Sequence, residues 1–254
     1  ADMLFTLPRE ITGNANDPTF SATQYLFATF AFAWQIYLDF SGYTDMARGL
    51  ARTMGFNFPT NFNHPYLATS LGDFWKRWHI SLSTWFRDYV YIPLGGSRGS
   101  TNSTYRNIMI TMVISGFWHG ASWNYIIWGF LNAVGRNMTI ELEGKNKKKK
   151  IPIIFKQIWV FLFICLTWIF FRTANLPQAM LVIRKIFDFT WEDPHFPIFG
   201  IVLMGALWMY QNLAESRLQS VINWRPLRIS LMTGMLLYIL FLAHSGGQFI
   251  YFQF

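Results

Sequence analysis

The stretch NIMITMVISGFWHGASWNYIIWGFLNAV, from Asn107 to Val134, decides how this chain folds. It is apolar enough to enter a lipid bilayer, yet it carries an ionisable residue, His119, near its centre. Its 28 residues (134 − 107 + 1) are too many for one untilted helix across the hydrocarbon core and too few for two, at roughly 20 residues each. A single crossing would also strand Arg48, Arg52, Lys76, Arg77, Arg87 and Arg98 outside, against the preference of cationic loops for the cytoplasmic face. Two arrangements remove the conflict. The segment breaks near Gly116 or Gly120 and returns to its starting side, or the chain enters the membrane within Trp78–Leu94. Irregular backbone at bilayer depth is tolerated only inside protein or against a wet cavity, so both arrangements imply a cavity.

Composition outside this stretch points the same way. Of 254 residues, 52% are hydrophobic, 19% aromatic and 13% charged, against about 25% charged in an ordinary soluble domain. Further apolar runs lie at 22–43, 152–171, 197–214 and 229–245. The expected fold is all-α: a multi-pass integral membrane protein, a helical bundle with re-entrant or broken helices around a central tunnel. We read residues 1–254 as a single membrane-embedded domain and 136–150 as a basic cytoplasmic loop. Its lysine run, Lys147 to Lys150, sets orientation, and Arg217, Arg225 and Arg228 fall on the same side after two crossings. The net charge of +8 sits in short loops without a basic groove, which disfavours nucleic acid. One cysteine, Cys165, excludes an intrachain disulfide and a cysteine-built metal site. No cleavable leader is visible, and the opening Ala1-Asp2-Met3 before a polar loop suggests the C-terminal part of a longer protein.

Two histidines stand beside tryptophans in apolar surroundings. Read as one helix, the stretch Trp75–Tyr89 places Trp75, Trp78, His79, Leu82, Trp85, Phe86 and Tyr89 on one stripe. Most of it suits an interfacial helix with aromatic anchors and snorkelling cations, but that does not explain the histidine. His119, read on a helix, neighbours Ser115, Gly116, Ser122 and Trp123, small or polar residues that suit close packing or a lined cavity. A lone buried histidine is more often structural; two of this kind favour function. His64, His195 and His244 read as interfacial or structural. Asp39 and Asp45 flank the end of the first run; Asp45 either pairs with Arg48 or faces the cavity.

Several chemistries are absent. There is no Gly-x-Ser-x-Gly elbow, no P-loop and no His-Glu-x-x-His zinc motif, and no metal site is expected. No histidine is followed five positions later by aspartate, which excludes the soluble-faced glycerolipid acyltransferase motif.

The strings Asp39–Ala47, Asn61–Tyr66, Phe74–Tyr89, Tyr91–Gly96 and Ser115–Trp123, with the closing Phe249–Phe254, resemble the membrane-bound O-acyltransferase family, in its alginate O-acetyltransferase-like branch. Ser115–Trp123 matches the segment bearing that family's hallmark histidine. The resemblance implies acyl transfer, here of acetyl groups, from a cytoplasmic thioester such as acetyl-CoA toward hydroxyls of an exported polysaccharide. It implies no resident cofactor, a bacterial inner-membrane location and a periplasmic or membrane-anchored acetyltransferase partner. His119 then serves as general base, its surroundings keeping the imidazole neutral and able to accept a proton. His79 orients the donor or acceptor, or stabilises charge on the thioester oxygen. Trp75, Trp118, Asp45 and Asn124 are expected in substrate binding, and Lys76, Arg77 and Arg87 near donor phosphates. The rival readings are a non-catalytic membrane scaffold or export component and a transporter, which lacks a visible paired repeat.

Overall fold

A computed structural model describes residues 21–145, 151–188, 198–217, 219–222 and 224–241, and all regular structure among them is helical. The first helix, α1 (Ala22–Thr53), starts at a capping box. Ser21 Oγ accepts from the Gln24 N–H, and Gln24 Oε1 accepts from the Ser21 N–H at 2.8 Å. The run expected to end at Tyr43 continues as helix for another ten residues, and Asp45 and Arg48 pair along its exposed surface at 2.9 Å. Asp39 and Asp45 therefore lie within a helix rather than at its end.

After a single turn, Pro65–Leu67, the chain forms two seven-residue helices, α2 (Leu71–Arg77) and α3 (Ile80–Phe86). This corrects the expectation of one helix over Trp75–Tyr89. His79 sits between them in the left-handed conformation, φ 43° and ψ 55°, which a residue with a Cβ adopts only when its surroundings impose it. Pairing with a second segment does so: the Ile80 N–H donates to the Asn61 carbonyl and the Asn63 N–H to the Arg77 carbonyl, each at 2.9 Å. A π-helical turn, Arg87–Tyr91, follows α3.

The decisive stretch forms a helical hairpin. Helix α4 (Thr101–His119) stops at Gly120, three residues turn, and α5 (Trp123–Lys145) runs back beside it. The break near Gly120 is therefore observed, and the reason lies in two glycines. A Cβ on Gly116 would stand 2.1 Å from the Tyr125 carbonyl oxygen, and one on Gly129 2.3 Å from that of Met112. Only backbones without side chains at those points approach so closely. Because α4 ends at His119, Ser122 and Trp123 are not its helical neighbours, contrary to expectation, and Trp123 is exposed. Helix α5 also continues through the start of the basic stretch as far as Lys145; residues 146–150 lie outside the described ones.

Helix α6 (Ile153–Arg172) is the one helix among the described residues long and apolar enough to cross a membrane. Helices α7 (Leu176–Phe187), α8 (Ile198–Glu215), α9 (Gln219–Ile222) and α10 (Arg225–Phe241) follow among the described residues. The other expected spans are helical where described, but α1 and the hairpin bury polar side chains such as Thr29, Asn107, Thr111 and Asn132. The core is largely aromatic. Tyr25, Phe32, Tyr66, Phe74 and Trp128 are fully buried, and Tyr66 Oη donates to the Ala33 carbonyl at 2.5 Å, pinning the 65–67 turn to α1. Trp78 packs on Trp168 at 5.1 Å and Trp168 stacks on Trp128 at 6.0 Å, linking the α2–α3 break to the hairpin through α6.

Candidate active site

His119 ends α4, where the helix stops and the ring turns onto aromatic neighbours. It meets Phe171 edge-on at 5.0 Å, Trp128 at 5.3 Å and Trp118 at 4.9 Å. His79 projects from the break between α2 and α3 and meets Phe40 edge-on at 4.7 Å. Although 40 positions apart (119 − 79), the two imidazoles line one cavity of about 40 Å³. Trp75, Trp128, Trp168 and Phe171 form its aromatic wall, and Ser83, Thr111 and Ser115 supply hydroxyls. The space suits a few small polar atoms, such as an acceptor hydroxyl beside an acyl carbonyl, and not a whole donor.

The hydrogen bonds around His79 assign its tautomer. Asn61 Oδ1 accepts from the Ser81 backbone N–H at 3.1 Å and from Ser81 Oγ at 2.9 Å, so that atom is the amide oxygen. The same oxygen faces His79 Nδ1 at 3.3 Å. The nitrogen facing an acceptor carries the hydrogen, which leaves the lone pair of the neutral ring on Nε2. Three further donors belong to residues of the cavity wall: the indole N–H groups of Trp75, Trp128 and Trp168 are buried without a hydrogen-bond partner. Such groups are costly unless something accepts from them.

The remaining sequence candidates lie elsewhere. Arg77 does not reach the cavity; it bonds Asp73 at 2.9 Å and pairs with Glu215 of α8. Burial works against its charge, but the two carboxylates outweigh it and raise its pKa above the ordinary value. Asp45 is on the exposed side of α1 with Arg48, so the local ion pair holds and the cavity-facing alternative does not. Asn124 is buried, but its amide donates to the Thr173 carbonyl at 2.8 Å, tying the start of α5 to the end of α6. Trp118 touches His119 from a largely exposed position outside the cavity lining. Lys76 lines an adjoining, larger chamber. Of the eight candidates, His79, His119 and Trp75 line the cavity.

A family model for the membrane-bound O-acyltransferases matches residues 10–135, a region that holds both histidines, Asn61 and the whole hairpin turn. The chain belongs to this family. It is 45% identical over 194 residues to the Pseudomonas aeruginosa protein named "Probable alginate O-acetylase AlgI", covering 76% of this chain and 35% of that one. It is also 41% identical over 166 residues to the peptidoglycan O-acetyltransferase of Helicobacter pylori, covering 65% and 32%. The teichoic acid D-alanyltransferase of Bacillus subtilis is 35% identical over 131 residues, covering 48% and 32%. The chain thus spans about a third of the length of these curated relatives.

Sequence reasoning missed Asn61, Trp128 and Trp168. Asn61 had a usable signal, since it lies in a quoted motif with a proline and a histidine close behind. Trp128 and Trp168 had none. Each is one aromatic among many in an apolar helix, and only the hairpin and the packing of α6 bring them to the histidines.

Proposed function

We propose that this chain carries the two-histidine centre of a membrane-embedded O-acyltransferase of the bacterial inner membrane. It moves acetyl groups from a thioester such as acetyl-CoA toward hydroxyls of an exported polysaccharide. The observation that carries the reading is the meeting of His79 and His119 at one aromatic-walled cavity. Membrane embedding is supported by α6 and by the apolar exterior of α10, where Met232, Met235, Leu240 and Phe241 are all exposed. In this setting the multi-pass bundle, the tunnel and the cytoplasmic placement of the basic stretch follow as parts of the same proposal.

The chemistry assigns one task to each group. His119 takes the proton from an acceptor hydroxyl as its oxygen bonds to the thioester carbonyl carbon. The carbonyl oxygen gains the electron pair, and the idle indole N–H groups of Trp75 and Trp128 are donors suited to hold it. Collapse re-forms the carbonyl, breaks the carbon–sulfur bond, and the departing thiolate takes the proton from the His119 imidazolium. His79, with its lone pair on Nε2, accepts a hydrogen bond from a second hydroxyl of the acceptor and so orients the reacting one, instead of donating to the carbonyl oxygen. The similarity to "Probable alginate O-acetylase AlgI" supports a polysaccharide acceptor; a periplasmic or membrane-anchored acetyltransferase partner completes the transfer in this proposal.

The test is His119→Ala in the full-length protein, with polysaccharide acetyl content and protein level measured together. Removal of a general base is expected to lower transfer by about 10²–10⁴-fold. Unchanged acetylation at normal expression rejects the role, and a loss of polysaccharide export at unchanged acetyl content would instead mark a non-catalytic export component.

A further inference from the structure

Among the described residues, two positions other than glycine have a positive φ, His64 and His79. Their φ and ψ are nearly identical, 44° and 59° against 43° and 55°. Both flank one short ladder, in which the Asn63 N–H donates to the Arg77 carbonyl and the Ile80 N–H to the Asn61 carbonyl. Left-handed backbone at a residue with a side chain persists only where its surroundings over-determine it, and such strain gathers at functional sites. Whatever holds this ladder therefore holds the His79 ring at the cavity.

Arg77 closes the ladder with its side chain as well as its main chain. Its Nη1 donates to the Asn63 carbonyl at 3.3 Å and also to Glu215, while its Nε donates to Asp73 Oδ1 at 2.9 Å. Asp73 Oδ2 in turn accepts from the Thr69 N–H at 3.1 Å. One guanidinium thus ties both ends of α2 to the loop that carries Asn61. A lysine, a point charge without a planar fork, could not hold three acceptors in fixed directions. Glu215 is the last residue of α8, which packs on the Pro65–Leu67 turn with Met204 and Trp208 beside Tyr66. Neither Arg77 nor Glu215 lines the two-histidine cavity, so their route to the chemistry runs through His79. A partly buried ion pair of this kind is weak evidence for stability and is suited to fixing register.

We propose that Arg77 is a positioning residue for His79 and that Glu215 of α8 is its remote anchor. Together they lock the ladder that imposes the left-handed turn, and with it the direction of the imidazole. The proposal rests on the acyl-transfer reading above. It gives Arg77 a task other than the donor contact expected of it, and it makes α8 part of the catalytic architecture without a residue in the cavity.

Two variants test it in the full-length protein, held in phosphatidylcholine nanodiscs: Glu215→Gln, which keeps the volume and removes the charge, and Arg77→Lys, which keeps the charge and removes the fork. Each should lower kcat for acetyl transfer about tenfold while the KM for acetyl-CoA stays unchanged. A double-mutant cycle decides the route. In a His79→Asn background no imidazole is left to position, so Glu215→Gln should cost less than about twofold further. An equal loss in both backgrounds overturns the proposal, and so does a lowered melting temperature with unchanged kcat. Nitrogen NMR of 15N-labelled histidine gives a second reading that needs no turnover, with His79 assigned by the loss of its signals in His79→Asn. Glu215→Gln should shift the His79 ring signals and leave those of His119 in place; unmoved His79 signals overturn the proposal as well. A natural chain that shows the shift but transfers no acetyl would keep Arg77 and Glu215 in their positioning role and remove the acyl-transfer reading.

Discussion

The two histidine-bearing regions reach the same cavity by opposite means. Around His79 the backbone is irregular and polar: a left-handed residue between two short helices, held by the amide and carbonyl of Asn61. Around His119 the backbone is a regular helix to its last residue, and the ring is placed by aromatic edges from α5 and α6. Directional hydrogen bonds can assign a tautomer, whereas ring edges fix position and leave proton placement to the chemistry. The contrast fits the different roles proposed for them: His79 has one nitrogen facing the Asn61 oxygen, and His119 has only ring edges around it.

Replacing His119 with alanine is the largest way to break this comparison, with the loss of about 10²–10⁴-fold in transfer given above. Next is His79→Asn. Asparagine tolerates the left-handed conformation, so the protein should stay folded while transfer falls about 10–100-fold, as expected for loss of one hydrogen bond that orients the acceptor. Unfolding of this variant would show that the imidazole serves packing against Phe40. Asn61→Ala should lower transfer by about tenfold and stability by about 1–3 kcal/mol, since it strips a shared acceptor from a partly buried network. A changed pH–rate profile in this variant would mark loss of the tautomer, whereas a purely structural role would change the melting temperature alone.

Gly129→Ala acts on the other region through packing. A methyl group driven against the Met112 carbonyl should open the hairpin and cost about 1–3 kcal/mol in thermal or denaturant unfolding. The smallest effect belongs to Asp45→Asn. Its exposed pair with Arg48 should contribute less than about 0.5 kcal/mol, and a fall in acetyl transfer would return Asp45 to the site.

Much of this was legible before any coordinates. The length of the Asn107–Val134 run and the placement of cations called for either a break near Gly116 or Gly120 or a membrane entry within Trp78–Leu94, because a helix crossing a bilayer has a known length and charge has a preferred side, and the structure has the break at Gly120. The two tryptophan-flanked histidines were visible as unusual for the same reason, an ionisable ring in apolar surroundings. Periodicity misread Trp75–Tyr89, since a stripe at helical spacing says nothing about one residue whose φ is reversed by a distant strand of chain. Charge alone also misplaced Arg77, whose partner Glu215 lies 138 positions away.

What this amino-acid sequence determined by itself was local: helical runs, their breaks and the residues able to do acid–base chemistry. Only the tertiary structure decided which of them share a cavity, that His79 faces the Asn61 oxygen, and that Arg77 is held away by Asp73 and Glu215. The reason is physical. Helix formation and membrane partition depend on neighbours within a few turns, whereas a site is assembled by close approach of segments far apart in the chain. Here that approach depends on two glycines, Gly116 and Gly129, whose missing side chains let α4 and α5 meet.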